Sequence, residues 1–405
     1  MAFDVFTDEN FNFKVQCMLG ELRTGCGDAG EIMSTAASIA DGDADSWVTG
    51  WRALAERVEK IAVAADTAGH DVSAREAYLR ASAYHAAVLE LVDGAHDPDA
   101  VLGPVFAAHR RCFHRYGELL DPPIERLEIP YEGSHMPGWF VPAPGEGRRR
   151  TLILNNGSDG AVTSLLGVAL AAQTRGYHSI IFDGPGQQSM LFERNVPFRA
   201  DWEAVITPVV DHLLAREDVD PDRLCIYGIS QAGYWVPRAL AFEHRLAAAV
   251  VDPGVDDVST SWMGHLPEEM LEMLDKGDRS SFDQWMQIGQ QDLTPAEKQE
   301  IAWRAKPYGI ADPFDLFTAV RTYRLTPDVL ARITTPVLIT DPEGEQFWQG
   351  QAERMHQHLP SSDLVRFTAA EGADRHCEPM ARSLLEQRMF DWLDSTLGVS
   401  AGGDS

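Results

Sequence analysis

Two hydrophobic spacings divide the chain. Up to about residue 122, apolar residues recur every three or four positions, the period of a helix with one buried face. Segments 46–65 and 73–91 carry this pattern most clearly, and Leu54, Val58, Ile61 and Ala65 mark one expected buried stripe. Asp121-Pro122-Pro123 closes the helical stretch, because proline lacks the N–H that a helix interior needs. From Ile124 the period drops to two. Segments 124–130 and 138–141 read as antiparallel strands around a turn at Glu132-Gly133-Ser134, and 142–150 reads as a loop. Short β-rich runs then alternate with helical ones: strands at 151–154, 178–182, 224–227 and 247–251, helices at 165–176, 201–216 and 234–244. Pro208 falls inside the helix at 201–216 and is expected to kink it. Such alternation implies a mostly parallel central sheet with helices on both faces.

The stretch 256–325 interrupts the alternation. It is rich in helix formers and large apolar residues, among them Trp262, Met270, Trp285, Trp303, Tyr308 and Phe317. An insertion between two core strands is where a cap over the sheet belongs. Strands at 335–340 and 364–367 follow, then a last helix with Leu385, Met389, Trp392 and Leu393 on one face. The expected organisation is a helical N-terminal domain (1–122), a first core part (123–255), an inserted helical cap (256–328), a second core part (329–400) and a disordered tail (401–405).

The segment with the most chemical content is Arg223-Leu224-Cys225-Ile226-Tyr227-Gly228-Ile229-Ser230-Gln231-Ala232-Gly233. A strand that turns at once into a helix, with serine at the tip and small residues around it, is a nucleophile elbow. Glycine is usual two positions after the serine, and here Ala232 stands there, small enough for the helix to approach the strand. A serine nucleophile needs an imidazole to take its proton and a carboxylate to orient that imidazole, in the chain order serine, acid, histidine. His376, one of 13 histidines, follows the last predicted strand and is the expected base. Asp341, placed just past the strand at 335–340, is the expected acid; Glu343 and Glu345 in the same loop and Asp252 after the strand at 247–251 are its competitors. The oxyanion hole is expected from the backbone N–H of Gln231 and from the loop Asn155-Asn156-Gly157-Ser158-Asp159-Gly160, with Ser158 as donor and Gly157 as the alternative. Trp262, His265 and Tyr308 are candidate substrate-binding residues on the cap.

Other features narrow the class. Asp183-Gly184-Pro185-Gly186-Gln187 lacks the lysine of a phosphate-binding loop, so it reads as a tight turn at the sheet edge. Tyr84, His85, His109, Cys112 and His114 read as helix surfaces and a helix–helix seam, and neither a metal nor a cofactor is expected. The five cysteines are scattered without Cys-x-x-Cys spacing and read as reduced thiols; Cys377 beside His376 is a weaker nucleophile candidate than Ser230. A net charge of −28 argues against nucleic acid and anionic membrane as partners. No apolar run reaches membrane-span length, and the start lacks the basic residues of a signal peptide, so a cytoplasmic location is expected.

Taken together, these residues resemble an α/β-hydrolase group that includes dihydroxypseudooxynicotine hydrolase and fungal pigment hydrolases that shorten a polyketide chain. The resemblance rests on Ser73-Ala74-Arg75-Glu76-Ala77-Tyr78, Phe182-Asp183-Gly184-Pro185-Gly186-Gln187, Gly228-Ile229-Ser230-Gln231-Ala232-Gly233-Tyr234 and Glu371-Gly372-Ala373-Asp374-Arg375-His376. It implies an α/β-hydrolase fold with an inserted cap to which the helical N-terminal domain (1–122) contributes, a metal-free homodimer, and cleavage of a carbon–carbon bond between carbonyl groups. The expected function is therefore serine-dependent hydrolysis of a hydrophobic, aromatic or polyketide-like carbonyl compound. A carboxylesterase or thioesterase is the nearest alternative, and a non-hydrolytic cyclase or binding protein on the same fold is the alternative from another class.

Overall fold

The computed structural model describes residues 4–399, so the expected tail at 401–405 lies outside the described residues. Eight strands form one sheet: β1 (Glu125–Tyr131), β2 (Ser134–Val141), β3 (Arg149–Asn155), β4 (His178–Phe182), β5 (Val219–Ile229), β6 (Ala248–Asp252), β7 (Val337–Pro342) and β8 (Ser362–Phe367). Their order is β1-β2-β4-β3-β5-β6-β7-β8. β2 runs antiparallel to both β1 and β4, and the other pairings are parallel. The first hairpin closes through Glu132 (φ +44°) and Gly133 (φ +78°), two successive positive φ values that match the right-handed twist of paired strands.

Each central strand is buried on both faces, as a parallel sheet requires. On β5, Cys225 and Tyr227 enter one core while Leu224 and Ile226 enter the other; Ala248 and Val250 of β6 alternate with Ala249 and Val251 in the same way. The first core joins that face of the sheet to the N-terminal helices α1 (Glu9–Gly20), α2 (Ala29–Ala36), α3 (Ala44–Thr67), α4 (Asp71–Leu89) and α5 (Pro98–Glu118). The second core lies under α8 (Glu203–Leu214), α9 (Ala232–Leu240) and the inserted helices, after the short α6 (Leu166–Thr174) and α7 (Gln188–Phe192).

The insertion holds α10 (Thr260–Met263), α11 (Glu268–Lys276), α12 (Arg279–Asp292), α13 (Pro295–Ala305), α14 (Pro313–Val320) and α15 (Pro327–Leu330). The chain then completes the core with α16 (Gln351–His358) and α17 (Arg382–Thr396). On α17, Leu385, Met389 and Leu393 are buried, and Trp392 packs at the margin with its indole N–H donating to Asp363 at 2.8 Å.

Helix starts follow capping chemistry. Asp8 accepts from Phe11 N–H (2.9 Å), Asp43 from Ser46 N–H (3.1 Å) and Asp97 from Ala100 N–H (3.2 Å), each satisfying a donor without a partner inside its helix. One expectation shifts. On α3 the buried stripe is Trp47, Trp51, Leu54, Ala55, Val58 and Ala62, and Ile61 is 49% exposed. The two tryptophans are the largest apolar groups on the helix, and seating both turns Ile61 outward. α8 continues through Pro208, which sits half-buried on the outer side, so the Ala204 carbonyl left without a donor faces a partly exposed surface.

Candidate active site

The elbow is built by sterics. β5 ends at Ile229, and Ser230 takes φ +58°, a left-handed conformation costly for a non-glycine residue. Its N–H donates to the Asp252 carbonyl at 2.6 Å, which ties the tip to β6. A Cβ on Gly233 would sit 1.9 Å from the Pro253 carbonyl oxygen, and one on Gly228 would sit 2.6 Å from Val236 Cγ2 and 2.7 Å from the Ala232 carbonyl oxygen. Gly228 and Gly233 therefore permit the turn, while Ala232 carries its methyl group into the buried core.

Ser230 Oγ lies 2.9 Å from His376 Nε2, and His376 Nδ1 lies 2.8 Å from Glu345 Oε2. The imidazole is 4% exposed and ringed by Phe347 and Trp348, at centroid distances of 4.8 and 5.6 Å. Burial disfavours the imidazolium, but the charge and hydrogen bond of Glu345 outweigh it and raise the His376 pKa above its ordinary value. Burial likewise opposes the Glu345 carboxylate, yet His376 and the N–H groups of Phe347 (2.9 Å) and Trp348 (3.2 Å) hold its pKa below the ordinary value.

Glu345, not Asp341, therefore faces His376. β7 runs on to Pro342, so Asp341 is still a strand residue, in register with Arg366 of β8 and paired to that guanidinium at 3.2 Å. The position beyond the strand's C-terminal end falls in the loop after Pro342. Glu343 there accepts from Ala369 N–H (2.9 Å), and the Gly344 N–H donates to the Asp374 carbonyl (2.8 Å), which draws the loop towards the His376 segment. Asp252 is fully buried beneath the elbow, where it accepts from Tyr227 (2.6 Å) and Thr340 (2.8 Å) and makes no hydrogen bond to His376.

The β3 loop lies against the nucleophile. A Cβ on Gly157 would sit 2.7 Å from Ser230 Cβ, so only glycine fits without displacement. Asn156 braces this loop, its amide donating to the Gly160 (2.7 Å) and Ala161 (2.9 Å) carbonyls. Asn155 accepts from the Trp202 indole at 2.7 Å. Gln187, from the Asp183-Gly184-Pro185-Gly186-Gln187 turn, donates to the Asn156 (2.7 Å) and Gly157 (2.8 Å) carbonyls, so this turn supports the loop. The Gly157 N–H points to Asn156 Oδ1 at 3.1 Å, whereas the backbone N–H groups of Ser158 and Gln231 have no acceptor among the described residues.

Two cavities, of about 190 and 140 Å³, meet at Ser230 and His376. Both are comparable to a cavity of ~150 Å³ that holds a benzene ring. The larger is walled by α1 and α4 through Phe13, Cys17, Ala83 and Ala87. The smaller lies under the cap, against Trp262, Trp303, Tyr308 and Trp348. Trp262 and Tyr308 thus line the cleft, packed edge to face at 5.7 Å. His265 is exposed and lines neither cavity, because the short α10 ends before it.

Sequence reasoning missed Lys14 and Glu90, which line both cavities. A contribution of the N-terminal helices to the cap is expected from the resemblance, but helical periodicity does not show which of their polar side chains reach the cleft. Cys17 and Cys26 line the larger cavity, where burial pushes both thiols up to about 12. Cys377 donates to the Asp252 carbonyl at 3.2 Å, and its thiol is likewise held far above the usual range by burial. In the N-terminal helices, ligand atoms of Glu59, His85 and Cys112 lie within 4.8 Å of one another. Glu59 already accepts from Arg111 and from His85 (3.1 Å), so the group forms an ion-paired seam between α3, α4 and α5.

The chain is 29% identical to the hydrolase LUC6 of a Fusarium species over 418 aligned positions, covering 98% of each protein. It is 28% identical to the 20-hydroxy-prefusarin hydrolase FUS2 of Gibberella moniliformis, again across 98% of each. Among solved structures it is similar to 2,6-dihydroxy-pseudo-oxynicotine hydrolase, with a TM-score of 0.73 at 22% identity over 93% of this chain and 95% of that one. No family model matches the chain. Among the described residues, no helix is long and apolar enough to cross a membrane. The likeness to proteins named hydrolases runs over nearly the whole chain, and with the eight-stranded sheet described above it gives the chain the α/β-hydrolase fold, similar to the fungal hydrolases in sequence and to 2,6-dihydroxy-pseudo-oxynicotine hydrolase in structure.

Proposed function

We propose that the chain is a serine hydrolase that cleaves a carbon–carbon bond next to a carbonyl in a hydrophobic, two-part substrate of aromatic or polyketide-like character. The observation that carries this reading is the Ser230–His376–Glu345 relay, at 2.9 and 2.8 Å, placed where two cavities meet. His376 takes the Ser230 proton as Oγ attacks the carbonyl, and Glu345 holds the imidazole with its proton on Nδ1. The N–H groups of Gln231 and Ser158 receive the oxyanion, an effect worth about 3–4 kcal/mol where one such donor has been removed. Collapse breaks the C–C bond, and the electron pair passes to the leaving carbon. His376 returns its proton to the leaving group, and water then hydrolyses the acyl-serine.

A carbanion leaves only if a second carbonyl delocalises its charge, so the substrate is a 1,3-dicarbonyl or an acylated phenol. The relatives named for 20-hydroxy-prefusarin and 2,6-dihydroxy-pseudo-oxynicotine set the chemical range to search first. The test is a product assay by mass spectrometry on an aryl 1,3-diketone and an aryl ester of the same size, with Ser230→Ala as control. Serine-dependent cleavage of the diketone supports the reading. Cleavage of the ester alone makes the protein a carboxylesterase, and products without added water make it a cyclase.

A further inference from the structure

Helix α1 carries an ammonium group into the cleft. Lys14 lines both cavities, as Ser230 and His376 do, and its side chain is only 11% exposed. Its counter-ion is Glu90, the residue that follows α4, with Nζ 3.4 Å from Oε2, longer than an ordinary N–H···O bond. Glu90 Oε2 is buried and has no hydrogen-bond partner among the described residues. Burial opposes the Lys14 charge, but Glu90 and Asp159 outweigh it and keep the ammonium protonated. Two other ion-paired lysines are held more closely: Lys306 donates to Asp93 at 2.6 Å and Lys276 to Glu272 at 2.6 Å. A nearly buried cation with a distant counter-ion and three N–H donors is incompletely satisfied, and its open side is the cleft.

We propose that the Lys14 ammonium binds the second carbonyl oxygen of the substrate and receives the negative charge that moves there as the C–C bond breaks, so that α1 selects 1,3-dicarbonyl substrates over simple esters. This rests on the Ser230 reading above. When Oγ has added to the first carbonyl, collapse re-forms that C=O and breaks the bond to the neighbouring carbon. The electron pair becomes an enolate whose oxygen lies on the second carbonyl. Lys14 pairs with that oxygen while the His376 proton passes to carbon, so no further reactant is needed. The charge is absent from the bound ground state, so the cation acts selectively on the transition state. An ester expels its charge on the oxygen attached to the reacting carbonyl, and no remote oxyanion forms.

The test compares wild type, Lys14→Met and Lys14→Arg on the matched aryl diketone and aryl ester, read as the ratio of the two kcat/KM values. This ratio does not depend on the fraction of enzyme that is folded. Lys14→Met is expected to lower the diketone-to-ester ratio by about 100-fold, the usual scale for losing one oxyanion partner, and Lys14→Arg is expected to restore most of it. An unchanged ratio in Lys14→Met overturns the proposal, as does a ratio that falls equally in both variants. The underlying reading fails separately: wild type would then leave the diketone intact, or Ser230→Ala would still cleave it.

Discussion

Replacing Glu345 by glutamine removes one negative charge beside His376 while keeping the side chain's size. The consequence follows from the hydrogen bonds around it. Oε1 is fixed as an acceptor by the N–H groups of Phe347 and Trp348, at 2.9 and 3.2 Å, so the amide NH2 of glutamine must take the place of Oε2 at 2.8 Å from His376 Nδ1. An NH2 there donates to Nδ1, which puts the ring proton on Nε2 and blocks acceptance of the Ser230 proton. Loss of the charge-assisted hydrogen bond alone is worth about 1.5–3 kcal/mol, or about 10- to 150-fold in rate. Adding the inverted tautomer brings the expected loss towards ~10⁴-fold, the effect of the same acid-to-amide change in a serine protease. Asp341→Asn removes only an ion pair with a largely exposed Arg366 and should change stability by no more than about 1 kcal/mol, with activity kept. The assay is the second-order rate of inactivation by a fluorophosphonate, which needs no knowledge of the natural substrate, with thermal melts to confirm folding. A large loss in Asp341→Asn, or a Glu345→Gln rate close to wild type, would refute the reasoning.

Three further outcomes follow. His376 accepts a proton only when neutral and its pKa is raised, so the inactivation rate should fall with decreasing pH around a midpoint above the ~6.5 of a free imidazole; a midpoint below it contradicts the Glu345 coupling. The same shift makes the imidazolium–carboxylate pair stabilise the fold fully below the unfolded pKa, a contribution lost as pH rises through the folded one, so a Ser230→Ala protein should melt lower as pH passes that point. Two glycine substitutions should separate: Gly157→Ala presses a methyl group on Ser230 and should cut inactivation at least ~10-fold with the melt little changed, whereas Gly233→Ala meets a backbone carbonyl at 1.9 Å and should lower the urea midpoint by the equivalent of ~1–3 kcal/mol.

The parts of this protein that were legible in its sequence are those fixed by local rules. β4 occupies 178–182 as its apolar run predicts, because a strand buried on both faces reads as continuous hydrophobicity. Ser230 is marked by the small residues its positive φ demands, and His376 by its place after the last strand. Glu345 lies in the loop that the sequence marks for the acid, but which of its carboxylates meets His376 depends on where β7 stops. Pairing with β8 carries that strand through Asp341 to Pro342, and a tertiary contact of this kind leaves no local pattern. Lys14 and Glu90 were illegible for a related reason. Helical spacing shows which face of α1 or α4 is apolar, but not which polar side chains on or beside these helices enter the cleft. Ile61 was misplaced because spacing alone weighs all apolar residues alike, while packing favours the two tryptophans.

The most direct test of the central claim is to find the acyl group during turnover. Wild-type protein is mixed with the aryl 1,3-diketone, quenched in acid within the first turnovers, digested and mapped by mass spectrometry. The expected result is an adduct with the mass of the acyl half of the substrate, confined to the peptide containing Ser230 and absent from Ser230→Ala. Diketone cleavage at an undiminished rate in Ser230→Ala, or an adduct on Cys377 instead, would contradict it.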